Sequence, residues 1–249
     1  MVKYTLLILV FFVMLNCKDN EAEKHSAEFI VNKSIKVSGS DKVASAAIDF
    51  DFRDKHYSAK RNKGRFSLMR LTIEANSDSI FDMLTNEGFE RTINDSESVF
   101  VEDSMKVKYA ASVNSVHYFS VLPYGLNDRA VQKTRLKDVQ IKGETYHTVK
   151  ITFSQDGGGE DYEDVFLYWI HQDTFKVDYL AYSYAEDDGF GVRFREAYNE
   201  RYINEVRFVD YNNYKPNDAT VALSELPELF ENGQLELLSK IELEHVSVN

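Results

Sequence analysis

From residue 139 to residue 211 the chain is a succession of β-type segments joined by very short breaks. Residues 139–142, 145–155, 163–171, 176–185, 192–201 and 203–211 are rich in β-branched and aromatic side chains. Between them stand Gly143, Asp156-Gly157-Gly158-Gly159, Gln172-Asp173-Thr174 and Asp187-Asp188-Gly189. Parallel neighbours need a crossover of about a dozen residues or more, so breaks this short dictate antiparallel pairing.

Upstream, residues 46–53, 56–61, 65–74, 79–84 and 89–94 repeat the pattern, with turn signals at Asn62-Lys63-Gly64 and Asn86-Glu87-Gly88. Two stretches break it. In 21–37, Ala27, Ile30, Val31 and Ile35 recur on a helical period before Ser38-Gly39. In 97–119, Val99, Phe100, Met105, Tyr109, Val113, Val116 and Phe119 do the same, up to the stop at Leu122-Pro123-Tyr124-Gly125. Asn127-Asp128 is read as the cap of a short helical turn over 129–133, residues 226–230 as a turn or short helix, and 235–246 as one last strand. The expected architecture is a single α+β domain with one antiparallel sheet covered by an N-terminal helix and a mid-chain helix.

The strands differ in what they face. His147, Val149, Ile151 and Phe153 alternate with Thr148, Lys150 and Thr152, as a sheet with one wet face requires. Val165-Phe166-Leu167-Tyr168-Trp169-Ile170 is apolar on both faces. Such a strand needs helices over one side or an apolar cavity inside a curved sheet. The chain carries 17 Phe, 15 Tyr and 1 Trp, more aromatic bulk than two helices can cover.

The N-terminus is a separate unit. Lys3 is followed by the apolar run 5–15, too short for a bilayer span of about 20 residues but suited to a secretory signal. The run ends Met14-Leu15-Asn16-Cys17, which resembles the lipobox of bacterial lipoproteins, with Asn16 where a smaller residue is usual. The resemblance implies lipid transfer to the Cys17 thiol and cleavage before it: a signal peptide over 1–16, a lipidated tether over 17–22 and one domain over 23–249. Lys18-Asp19-Asn20-Glu21 is similar to acidic export signals of Bacteroidota lipoproteins. Cys17 is the only cysteine, so disulfides, thiolate metal sites and a second thiol nucleophile are excluded.

The order of elements is similar to the LolA/LolB/LppX-like superfamily of lipoprotein carriers and lipid-binding lipoproteins. Leu122-Pro123-Tyr124-Gly125-Leu126, Tyr146-His147-Thr148-Val149-Lys150-Ile151-Thr152-Phe153, Val165-Phe166-Leu167-Tyr168-Trp169-Ile170, Phe50-Asp51-Phe52-Arg53, Val192-Arg193-Phe194-Arg195 and Asp210-Tyr211-Asn212-Asn213-Tyr214 resemble a family of Bacteroidota lipoproteins whose motifs carry no assigned chemistry. The superfamily resemblance implies a strongly curved half-barrel whose concave face binds acyl chains. It also implies outer-membrane attachment through lipidated Cys17.

Other chemistries find little support. A formal net charge of −12 disfavours nucleic acid. The histidines at 25, 56, 117, 147, 171 and 245 lack metal-ligand spacing. Glu160-Asp161-Tyr162-Glu163-Asp164 departs from an EF-hand loop, and no phosphate loop or nucleophile elbow is present. No metal, cofactor or catalytic residue is assigned. The candidate ligand-binding residues are Phe119, Leu122, Phe153, Phe166, Tyr168, Trp169 and Tyr182, with Arg193, Arg195 and Asp210 as polar candidates. Arg193 and Arg195 share one strand face. They read either as a guanidinium pair for an anionic headgroup or as part of a structural ion-pair ladder with Asp210, Glu196 or Glu205. The leading reading is a lipid-binding lipoprotein rather than an enzyme. The alternatives are an exported enzyme acting on glycan or lipid through carboxylates such as Asp178 and Asp210, and a ligandless surface scaffold.

Overall fold

A computed structural model describes residues 26–157, 162–186 and 189–249. Cys17, the apolar run before it, the tether, His25 and the Gly158-Gly159-Glu160-Asp161 hairpin tip lie outside the described residues.

The chain begins with helices α1 (Ala27–Val37) and α2 (Ser40–Val43). Strands β1 (Ala47–Phe52), β2 (Lys55–Asn62), β3 (Arg65–Ile73), β4 (Ser79–Thr85), β5 (Gly88–Ile93) and β6 (Glu97–Ser98) precede helix α3 (Asp103–Ser120). Then come β7 (Val131–Arg135), β8 (Val139–Ile141), β9 (Glu144–Phe153), β10 (Val165–His171), β11 (Val177–Glu186), β12 (Gly189–Ile203) and β13 (Val206–Pro216). A 3-10 turn, helix α4 (Leu226–Glu231) and strands β14 (Leu235–Ile241) and β15 (Glu244–Val248) complete it.

All strand pairs are antiparallel, as the short turns dictated. They form a seven-stranded sheet, β15-β1-β2-β3-β4-β5-β6, and an eight-stranded one, β14-β13-β12-β11-β10-β9-β7 with β8 beside β9. The two curl together without closing. The expected single sheet is therefore corrected to two. The expected last strand breaks at Glu242-Leu243: β14 pairs with β13 and β15 with β1. The break is built from side chains, since Asp210 takes the Leu243 N–H and Arg201 its carbonyl.

Local chemistry explains the helices. The Ser26 hydroxyl accepts the Phe29 N–H at 3.1 Å, Glu28 sits in the first turn of α1 and Lys36 in the last. Gly39 then turns the chain at φ +64°, and a Cβ there would stand 2.0 Å from the Glu205 carbonyl oxygen. Only a glycine lets the α1–α2 corner rest on the β12–β13 hairpin.

Helix α3 starts later than its periodicity suggests, because Glu97–Ser98 pairs with the open edge of β5. Likewise the expected helical turn over 129–133 gives way to β7, which satisfies the free edge of β9. Between β6 and β7, the two strands at the gap in the curl, α3 packs onto β3, β4 and β5. Arg70, held by the buried Asp82, donates to Ser112 at 2.8 Å, and Arg91 lies 4.0 Å from the Tyr109 ring centroid.

The doubly apolar β10 is covered on both sides. Phe166, Tyr168 and Ile170 join Ile30 and Val31 of α1 with Leu122 and Leu126. Leu167 and Trp169 point the other way, into a cluster closed by Leu226 and Phe230 of α4. That second cover is the short helix read at 226–230.

Candidate functional site

Between the concave faces and α3 lies a cavity of about 860 Å³, inside the ~300–1,000 Å³ range of small-molecule sites. Its walls come from Phe52, Phe66 and Leu84 on the first sheet, Val107, Ala110 and Ala111 on α3, and an aromatic group on the second sheet. Phe166 is the hub of that group. Its ring lies 5.2 Å from Tyr182, 5.9 Å from Phe153 and 6.2 Å from Phe119, centroid to centroid.

These rings converge because side chains alternate across a pleated sheet. Phe166 and Tyr182 are direct cross-strand partners, as are Phe166 and Ile151. Phe119 arrives from the last turn of α3. Tyr184 also lines the cavity, with its ring against Gly191 on β12, its cross-strand partner. A Cβ at Gly191 would come within 2.3 Å of that ring, so the glycine makes room for it.

Deeper lies a hydroxyl pair. The oxygens of Tyr118 and Tyr168 are 3.1 Å apart, and burial pushes the Tyr118 phenol up to about 12 and Tyr168 well above its ordinary value. Both stay neutral across the physiological range.

Arg195 is the buried charged group of this wall. It is 7% exposed. Its Nη2 donates to the Tyr182 hydroxyl at 2.7 Å, and its Cζ sits 3.9 Å from the Phe119 centroid. Its Nε and Nη1 have no hydrogen-bond partner. In register beside it lie Asn213 on β13 and Ser239 on β14, both lining the cavity. Asn213 donates to Ser239 at 3.1 Å and leaves its own Oδ1 unpartnered.

The cavity thus brings together Phe119, Phe153, Phe166, Tyr182 and Arg195 among the candidates. Leu122 and Tyr168 lie in the packed core beneath the wall, and Trp169 faces the opposite side of the sheet. Arg193 does not line the cavity: it donates to the neighbouring Val192 carbonyl at 2.9 Å and lies over Tyr184. Asp210 is buried at the seam between the sheets, bound to Arg201, Asn199 and the Leu243 N–H. The suggested ladder to Asp210, Glu196 or Glu205 is not formed. Asp210 pairs with Arg201, Glu196 with Lys142 and Glu205 with Lys42. Sequence reading missed Tyr211, Asn213 and Ser239, whose place beside Arg195 depends on a register that the chain does not advertise.

Asp178 lies elsewhere, in a smaller cleft of about 260 Å³ with His171, Lys176, Glu200 and Arg207. Burial raises the Asp178 carboxyl. Burial also pushes Glu200 up, but hydrogen bonds from Arg207 and Lys176 outweigh it and hold that carboxyl below its ordinary value. Arg207 bridges the two acids. Among the described residues no cluster of His, Cys, Asp and Glu is arranged to hold a metal ion, and no helix is long and apolar enough to cross a membrane.

No curated protein is similar enough in sequence to match. Among solved structures, a DUF1329 family protein from Desulfovibrio piger has a TM-score of 0.50 at 9% identity, over 89% of this chain and 92% of that one. A LolA superfamily protein from Nitrosomonas europaea has a TM-score of 0.48 at 12% identity, over 90% and 91%. The lipoprotein LppX from Mycobacterium tuberculosis has a TM-score of 0.29 at 8% identity, over 66% and 92%. At such identities the likeness concerns the fold. Residues 3–243 match the model of a family of unknown function, DUF6503, and the chain belongs to that family.

Proposed function

We propose that this protein is a cell-envelope lipoprotein that takes a hydrophobic or amphipathic, lipid-like ligand into its half-barrel. One observation carries the reading: a cavity of about 860 Å³ that the helices and the sheets' own aromatic side chains leave unfilled. A solid-cored scaffold would fill this space with its own side chains, as the packed clusters on both sides of β10 do. The wall joins an apolar, aromatic surface to polar groups that include Asn114, Asp164, Arg195, Asn213 and Ser239, which suits an amphipathic ligand.

In this reading residues 1–16 are removed, Cys17 carries the lipid and 17–22 is the tether to the outer membrane. Two or more acyl chains on one residue give stable attachment, at about 0.8 kcal/mol per buried CH₂. LolA-like and LppX-like folds occur among lipoproteins and their carriers, which agrees with an envelope location.

The test is native mass spectrometry of the purified full chain, before and after addition of lauric acid and its methyl ester. The expected result is a one-to-one adduct, co-purified or added. Repeated absence of any adduct, with no displacement of a fluorescent fatty acid, overturns the binding function.

A further inference from the structure

A guanidinium in an apolar wall is expensive unless something with negative charge meets it. The other buried arginine obeys that rule: Arg207 pairs with Asp178 and Glu200. Arg195 does not. Among the described residues it has no ion pair, its one hydrogen bond goes to a neutral phenol, and two of its nitrogens are unmatched although it is 7% exposed. What it has instead is Phe119, stacked at 3.9 Å on its flat face, with Tyr182 and Tyr211 at 5.0 and 5.9 Å. A ring face is a weak substitute for a counter-ion. Phe119 is half-buried at the C-terminal end of α3, so the ring retains room to move.

Building on the proposed lipid-binding function, we propose that the cavity takes a single-chain carboxylate amphiphile head first. Its carboxylate displaces the Phe119 ring from Arg195 and its chain lies along the Phe153–Phe166–Tyr182 wall. Three features specify a carboxylate. A guanidinium fork matches two coplanar oxygens. The donors still open belong to one cation, which neutralises one charge and leaves a doubly charged phosphate monoester half-compensated. The other cation on the cavity wall, Arg53, is exposed at the β1–β2 turn and cannot share the buried site. The apolar surroundings make the pairing selective, because water competes poorly there.

The experiment is displacement of the fluorescent fatty acid cis-parinaric acid from the full chain by laurate, methyl laurate and dodecyl phosphate. Wild-type protein is expected to bind laurate at least about tenfold more tightly than the ester, the ratio given by a charge-assisted hydrogen-bond pair. Dodecyl phosphate is expected to bind no better than laurate. R195M brings laurate down to the affinity of the ester, R195K recovers only part of the preference because an ammonium lacks the fork, and F119A widens the laurate-to-ester ratio. Equal binding of laurate and ester by the wild type overturns the proposal while leaving the cavity's lipid-binding role intact, and this comparison needs no variant to fold. A laurate preference that survives R195M, a stronger preference for dodecyl phosphate, or an unchanged ratio in F119A also overturns it. If the probe and all three competitors fail to bind, the lipid-binding function falls with it.

Discussion

Oδ1 of Asp210 accepts the backbone N–H of Leu243 at 3.0 Å, at the point where the chain leaves one sheet and enters the other. The same carboxylate binds Asn199 at 2.5 Å and Arg201 at 3.0 Å, and Arg201 donates to the Leu243 carbonyl at 2.6 Å. Leu243 therefore has both backbone groups satisfied without a ladder partner. D210A takes the counter-ion from the partly buried Arg201 and strands the Leu243 backbone donor, and the expected loss is about 2–3 kcal/mol in urea unfolding. D210N, which can still accept from Leu243, is expected to lose less. A loss under about 1 kcal/mol for D210A refutes the assignment of Asp210 as the clasp of the seam.

His117 holds α3 to the first sheet. Its Nε2 lies 3.1 Å from the Met69 carbonyl, and its ring meets Phe50 and Tyr57 edge-on at 5.7 and 5.5 Å. Burial lowers its pKa from the ordinary 6.5 to about 4. Between those values the unfolded chain binds the extra proton and the folded one does not. Stability is thus fully present above about 6.5, falls as the pH drops toward 4, and levels off below. The contribution across that window is about 3 kcal/mol. H117F keeps the ring packing and removes the proton, so urea midpoints between pH 4 and 6.5 should flatten by that amount. An unchanged slope refutes the assignment.

Gly39→Ala tests the corner between α1 and α2. The new methyl would have to occupy the position 2.0 Å from the Glu205 carbonyl oxygen, at a φ of +64°. Clash and left-handed strain together should remove more than about 2 kcal/mol. Gly64 also has positive φ but nothing within 4 Å of a Cβ, so G64A should lose about 1 kcal/mol or less. Equal losses for the two would show that conformation, and not the close approach, sets the effect at Gly39.

Ala111 lines the cavity from α3. A111W fills existing space and does not force new volume into packed core, so the melting temperature should stay within a few degrees. Binding of laurate and of methyl laurate should weaken together by tenfold or more. Retained affinity for both would place the ligand elsewhere on the protein.

Strands β1 to β5 were legible within a residue or two because alternation and turn residues act locally. What escaped depended on distant partners. β15 exists because Val248 pairs with Ile48, a contact between opposite ends of the described chain, and β6 and β7 exist because neighbouring edges need donors and acceptors. At the site, parity was the readable signal. Phe166 and Trp169 are three residues apart on one strand, so a period of two places them on opposite faces, and the sequence alone was enough to exclude Trp169 from the wall that Phe166 lines. Arg195 and Arg193 share a face by the same rule, yet only the cross-strand neighbours Asn213 and Ser239 decide which of them reaches the interior.

The mid-chain helix α3 is anchored at both ends, through Ser98 of β6 and Val131 of β7, to the two margins of the opening that it spans. Tied on both sides, it is built as a strap and not as a hinged door. Under the proposed lipid-binding function, a ligand that enters beside α3 meets a segment tied to both sheets, so entry and exit share that passage.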